Sequence, residues 1–186
     1  MTVTTREIKF FKAEDLKNDT TLQTQVIDLI NIAFAKPPKG QPLSTGLRFE
    51  NPEEFFERLA NGICAVLFLE GAPVATAALI PWKSDSMDGD DFELSTVAVP
   101  PGCRKLGFAE ACCAAAEEAI MSQRSASSEA KEARLWLKCS ETRAAPHWIR
   151  RGFVETERTL VPAGTWGSEH EFNLITMCRP LRRSSC

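Results

Sequence analysis

The 186-residue chain contains no tyrosine, so no phenol is available to any proton transfer it performs. It has no uninterrupted run of about 20 apolar residues, which excludes a membrane-spanning helix. No CxxC pair occurs, and seven cysteines are an odd number without disulfide-framework spacing. Reduced thiols are therefore expected rather than bridges or a bound metal. Cys112 and Cys113 are adjacent on an expected helix, where neighbouring side chains diverge and cannot share a tetrahedral zinc site. Charge of either sign is nearly balanced: 22 Lys and Arg against 25 Asp and Glu give −3. Such a chain has no general field for nucleic acid or an acidic membrane surface, so any polyanion must be held locally. The N-terminal residues Arg6, Glu7, Lys9, Lys12, Glu14 and Asp15 leave no room for an apolar signal core, and a cytoplasmic protein is expected.

What the chain does have is apolar material enough for one core. With 44% hydrophobic residues and only 10 glycines, intrinsic disorder and a collagen-like rod are both excluded. One domain spanning residues 1–186 is expected, without repeats or a linker between two cores. A short strand runs from Ile8 to Phe11, and Val26, Leu29, Ile30, Ala33 and Phe34 then recur at helical spacing until Pro37-Pro38. Residues 39–48 read as an exposed loop. Asn51 before Pro52, with Glu54 three residues on, is a capped helix start, and Gly62 is its stop. The apolar runs Ile63 to Leu69 and Val74 to Pro81 flank Glu70-Gly71-Ala72-Pro73 and predict a hairpin.

The fourth strand, Phe92 to Val99, changes parity along its length. Phe92 and Leu94 share one face, whereas Val97 and Val99 fall on the other. Both pairs reach one core only if an extra residue intervenes, which predicts a β-bulge near Ser95-Thr96. A helix then runs from about Gly107 to Met121, burying small residues such as Ala111, Cys112 and Ala115. A Ser-rich connection covers residues 122–133. After it come a strand at residues 134–139, a short helix from Ala145 to Arg151 with Gly152 as its stop, and closing strands at residues 153–161 and 172–178. The fold class is α+β: a mixed, mostly antiparallel sheet flanked by helices, with a bulged fourth strand.

The most informative stretch is Glu93-Leu94-Ser95-Thr96-Val97-Ala98-Val99-Pro100-Pro101-Gly102-Cys103-Arg104-Lys105-Leu106-Gly107-Phe108-Ala109. It is a strand delivering a Gly-containing turn to a helix N-terminus, where unpaired N–H groups and the helix dipole favour a phosphate. Gly107 and Ala109 keep the approach small, and Arg104 and Lys105 add positive charge. The bland alternative is a plain strand-to-helix turn with solvated basic residues.

Arg104-x-x-Gly107-x-Ala109, placed directly after Val97-Ala98-Val99, resembles the acetyl-CoA signature of the GNAT N-acyltransferase superfamily. A second block resembles the later part of that family: Leu135 to Cys139, then Ala144, His147-Trp148 and Arg151-Gly152-Phe153. The resemblance implies acetyl-CoA as co-substrate. Main-chain amides of Arg104, Lys105, Leu106, Gly107, Phe108 and Ala109 would hold its pyrophosphate, and Val97, Ala98 and Val99 would hydrogen-bond the pantetheine arm like an added strand. It also implies Glu93 as the general base, four residues before Val97. The family commonly carries a tyrosine as general acid five residues before the Phe of the Gly-Phe step, and here that position is Trp148. An indole N–H donates a hydrogen bond but releases no proton near neutrality, which leaves His147, Ser140, Cys139 or water. Glu141 stands where many relatives carry Asn.

Three functions compete. The first is acetyl transfer from acetyl-CoA to a small-molecule amine or amino-acid-like acceptor by direct attack, in a monomer or homodimer with no nucleic acid, membrane or metal partner. The second is an acyl-CoA-binding sensor or interaction module without transfer. The third is the same groove turned to a substrate other than CoA. A Cys139–His147 thioacyl route is weaker than a reduced core cysteine, and His170 reads as structural or acceptor-lining. The loop from Pro37 to Arg48 and the turn at residues 82–91 are expected to shape the acceptor site, and the acidic run Asp85 to Asp91 to attract a cationic amine unless it is a solvated turn.

Overall fold

Each apolar run of the sequence becomes a strand, and all the strands join one sheet. They are β1 (Arg6–Phe11), β2 (Ile63–Leu69), β3 (Ala72–Pro81), β4 (Asp91–Ala98), β5 (Arg134–Ser140), β6 (Val154–Val161) and β7 (Phe172–Pro180). The computed structural model describes residues 5–35, 47–83, 91–124, 133–142 and 144–181. The strand order is β1-β2-β3-β4-β5-β7-β6, and every neighbouring pair is antiparallel except β4 and β5. The expected mixed, mostly antiparallel α+β sheet is thus the observed one.

Among the described residues five α-helices accompany it: α1 (Ala13–Lys17), α2 (Thr20–Phe34), α3 (Pro52–Leu59), α4 (Phe108–Arg124) and α5 (Ala145–Ile149). The sequence did not announce α1, because a single turn has no periodicity to display; it is anchored by Leu16, which is fully buried. α3 begins as expected, with the Asn51 side chain accepting the Glu54 amide at 3.1 Å and Pro52 in the first turn. Its stop is Ala60, whose φ is 37°, rather than Gly62. Gly62 has another reason to be glycine, since a Cβ there would lie 2.4 Å from the Leu79 carbonyl oxygen of β3.

The helices cover opposite faces of the sheet. α4 packs Cys112, Ala116 and Ile120 onto Phe92, Leu94, Leu135 and Met177, with Ala116 rather than Ala115 at the bottom of the contact. The N-terminal helices put Val26, Ile30, Phe55 and Leu59 onto Val66, Ala78 and Ile80. Phe92 is completely buried between them, and truncating such a residue to Ala costs about 3–5 kcal/mol. Among the described residues no helix is long and apolar enough to cross a membrane.

The bulge in β4 is where the sequence places it. Thr76 pairs with Ala98 and Ala78 with Ser95, so Ala77 faces two residues, Thr96 and Val97. The extra residue brings Val97 and Val99 onto the same core as Phe92 and Leu94, while Ala98 joins the core on the other face. Thr96 takes a left-handed φ of 44°, a conformation that costs a side-chain-bearing residue about 1–2 kcal/mol. The fully buried Thr76 hydroxyl donates to the Thr96 carbonyl at 2.9 Å and pins the distortion.

Candidate active site

The parallel pair β4 and β5 stays together for only three residues, Asp91 to Glu93 against Arg134 to Trp136. Beyond that point β4 bulges away, whereas β5 remains paired with β7 along its whole length. The strands splay, and a cavity of about 490 Å³ opens between them. From Leu94 onward the β5-facing backbone of β4 has no strand partner, so its N–H and C=O groups are left for a ligand. The splay leaves these groups free, and the bulge is one cause of the splay.

One wall of the cavity is main chain. The turn after β4 uses left-handed backbone at Lys105 (φ 66°) and Gly107 (φ 76°) to swing into α4. The first α4 hydrogen bond runs from the Ala111 amide to the Gly107 carbonyl at 3.0 Å, so the amides of Phe108, Ala109 and Glu110 have no intrahelical acceptor. Nothing plugs the turn, since a Cβ on Gly107 would meet no atom within 4 Å. Val97, Ala98, Val99, Arg104 and Ala109 line the cavity. Lys105, Leu106 and Gly107 are exposed at its mouth, and the Phe108 ring is buried under the Arg6 guanidinium, leaving only its amide to serve. The Arg104 side chain does not point a free charge at a phosphate. Its guanidinium donates to the Val99 carbonyl at 3.3 Å and the Ala33 carbonyl at 2.9 Å, tying the turn to the C-terminal end of α2. Unpaired amides, an open strand edge and a splayed cavity are features that a diphosphate on a flexible amide-bearing arm fits.

The other wall is made of side chains. Glu93 is 7% exposed and forms an ion pair with Arg58, whose Nε also donates to Ser95 Oγ at 3.3 Å. Burial raises the Glu93 carboxyl above its ordinary value, against the opposing pull of Arg58, Lys138 and Arg48. A carboxylate so placed is a stronger base than a solvated one. His147 lines the cavity and packs edge-on against Trp148, their ring centroids 4.8 Å apart. Burial, then Arg151 and Arg150, lowers its ring below the usual histidine value. Arg151 can only donate, so its 3.2 Å contact with Nδ1 assigns the neutral tautomer with the proton on Nε2.

Trp148 occupies the cavity wall and stacks edge-on against Phe153. The Cys139 thiol is pushed up to about 11 by burial and contacts Met177 sulfur at 3.8 Å, which makes it a core thiol rather than a nucleophile. Glu141 is taken up by Arg158 and by Asn173, whose amide donates to it at 2.7 Å. His170 is exposed and does not line the cavity. Asp85, Asp88 and Asp90, like residues 36–46 of the preceding loop, lie outside the described residues, whereas Asp91 is paired with Arg134 at 3.0 Å.

Arg48, Arg58, Lys138 and Trp166 line the cavity, and the sequence assigned none of them an individual role, although Arg48 closes the loop expected to shape the acceptor site and Lys138 lies in the block resembling the later part of the family. Arg58 did leave a signal, since it follows Phe55 by three residues and precedes Leu59, on the flank of the apolar stripe of α3. Arg48 and Trp166 left none, because each sits in a segment without periodicity.

The sequence profile described as the acetyltransferase (GNAT) family matches residues 27–153. No curated protein matches the chain significantly. Among solved structures, the ribosomal-protein-S18-alanine N-acetyltransferase from Escherichia coli is similar at 17% identity, with a TM-score of 0.66 and 97% of each chain covered. An acetyltransferase of the GNAT family from Streptococcus pneumoniae is similar at 15% identity and TM-score 0.65, over 96% of this chain and all of its own. The yncA protein of Salmonella typhimurium, solved with its cofactor acetyl-CoA, is similar at 15% identity and TM-score 0.60, over 97% of this chain and 96% of its own. With a profile match over more than half of its length and a sheet splayed at the matching strand, the chain belongs to the GNAT acetyltransferase family.

Proposed function

We propose that the protein is an acetyl-CoA-dependent N-acetyltransferase acting on a small-molecule amine, with Glu93 as general base. When bound, acetyl-CoA supplies a thioester whose acetyl group can pass to a nitrogen lone pair. The chain's contribution begins with binding: the main chain of residues 104–109 takes the diphosphate, and the free edge of Val97 to Val99 takes the amide-bearing arm. Glu93 then accepts the proton that an ammonium must lose before its nitrogen can attack, directly or through one water. Arg58 holds that carboxylate in place, and burial raises its basicity. His147 offers an Nε2–H donor to charge developing on the leaving side, not a transferable proton, because its ring is held neutral.

The observation that carries this reading is a buried carboxylate at the point where β4 and β5 part, in the same cavity as the main-chain cradle. One chain provides every group invoked, which suits a monomer or a homodimer. Six free cysteines among the described residues support a reducing, cytoplasmic setting. The absence of tyrosine favours a second reading, binding without transfer.

Steady-state thiol release with an amine panel separates the two readings. Glu93→Gln is expected to lower kcat about 100-fold or more, with acetyl-CoA affinity by calorimetry unchanged. Unchanged turnover at saturating amine would remove Glu93 from the mechanism.

A further inference from the structure

Arg48 is held in an unusual state for a cation. Its guanidinium carbon lies 5.5, 5.9 and 4.8 Å from the ring centroids of Phe34, Phe49 and Trp166. Its Nε is buried with no hydrogen-bond partner among the described residues, and the side chain faces the cavity that holds Glu93. Stacking on aromatic faces fixes the plane of a guanidinium and leaves its N–H fork directed outward. The Nε is covered, so the outer N–H groups of that fork are the donors that a ligand acceptor in the cavity can meet.

The surroundings sharpen the chemistry of that ligand. Among the described residues, Arg48, Arg58, Arg104 and Lys138 line the cavity with one carboxylate, that of Glu93. Arg58 is committed to Glu93 and Ser95, and Arg104 to two carbonyls. The Lys138 ammonium lies 5.4 Å from the Trp82 ring centroid. Burial and Arg58 both weigh against the charge on Arg48. Phe49 and Phe34 belong to the core beneath the N-terminal helices, on the opposite face from α4. Arg48 therefore stands at the sheet face covered by the N-terminal helices, within electrostatic reach of the Glu93 carboxylate. An amine acceptor enters as an ammonium ion, which a surplus of positive charge repels unless the same molecule brings a compensating anion.

Resting on the N-acetyltransferase reading, we infer that the acceptor carries a carboxylate beside its amine, as an amino acid does, and that Arg48 is the residue that reads it. The guanidinium donates to the carboxylate while Glu93 faces the nitrogen. Arg48 thus sets specificity by hydrogen bonding to a group remote from the reacting bond.

The test compares amino acids with their carboxamides, which differ only in the charged group, by kcat/KM for thiol release. The wild type is expected to prefer the carboxylates by roughly 10- to 100-fold, the worth of a charge-assisted hydrogen bond. Arg48→Met is expected to bring that ratio to within about threefold of unity, and Arg48→Lys to retain part of it as a point charge. Trp166, against the Arg48 guanidinium, gives a readout that needs no turnover. Titration with N-acetyl amino acids should change its fluorescence saturably in the wild type and not in Arg48→Met. Transfer to amines with equal efficiency for carboxylates and carboxamides would overturn the inference and leave the enzyme reading standing. Transfer to no amine in the panel would overturn both. The wild-type preference requires no variant, so misfolding of Arg48→Met cannot shield the inference.

Discussion

The two walls of the cavity are built from different material. On the side of β4 and the α4 turn, the groups offered to a ligand are main-chain amides and carbonyls, supplied by a splayed strand, a bulge and a helix start. On the other side they are side chains, Arg48, Arg58, Glu93 and Lys138, drawn from four separate stretches of chain. A main-chain wall tolerates sequence change as long as the backbone path survives; a side-chain wall changes with each substitution. In a fold that must keep one donor while acceptors vary, the invariant partner belongs on the first wall and the variable one on the second.

Substitutions can set the walls against each other. The largest effect is expected from Gly107→Val, which forces a β-branched residue into φ 76° at a strain of about 1–2 kcal/mol or shifts the turn. Acetyl-CoA affinity measured by calorimetry should fall about tenfold or more, with the carboxylate preference among the acceptors retained. Loss of that preference as well would mean the walls are not separable.

A middle-sized effect is expected from Arg58→Met, read in the pH profile of kcat. On the proposed mechanism Glu93 works deprotonated, so activity is expected to climb as pH rises through its titration, above the ordinary carboxyl value of 4.5 because burial raises it. Arg58 opposes that rise, and its removal should carry the acidic limb to still higher pH while acetyl-CoA affinity holds. A limb that stays in place would detach Arg58 from Glu93. The same upward shift weighs against folding at neutral pH: a carboxyl raised in the folded state contributes stability below its unfolded value and loses it as pH rises through the folded one. Glu93→Gln should therefore cost activity without lowering Tm at neutral pH.

The smallest effect is expected from His147→Gln, which exchanges one neutral N–H donor for another. A loss in kcat of about tenfold or less is expected, with no change in the alkaline limb of the profile. A loss comparable to that of Glu93→Gln would restore His147 as a proton donor.

How much of this was readable in advance follows the same division. The parity change from Phe92 and Leu94 to Val97 and Val99 forces a bulge by the geometry of a pleated strand, and a Gly-containing turn into a helix exposes amides whatever surrounds it. Both are local properties, so the sequence carries them. Arg48, Arg58 and Trp166 come together only after the sheet has closed, and nothing at those positions marks a binding role. The Arg104 side chain shows the converse limit, since its charge suggested a phosphate contact and the fold spends it on the carbonyls of Val99 and Ala33. Trp148 lines the cavity, and the sequence did not reveal that burial and then Arg151 lower the neighbouring histidine below its usual value.

A crystal structure of the protein grown with acetyl-CoA bears most directly on the proposed division of labour. The amide-bearing arm is expected along the free edge from Val97 to Val99, the diphosphate at the amides of residues 104–109, and the thioester opening toward Glu93. Acetyl-CoA bound elsewhere, or bound with that strand edge untouched and Arg48 on its phosphates, would contradict the account.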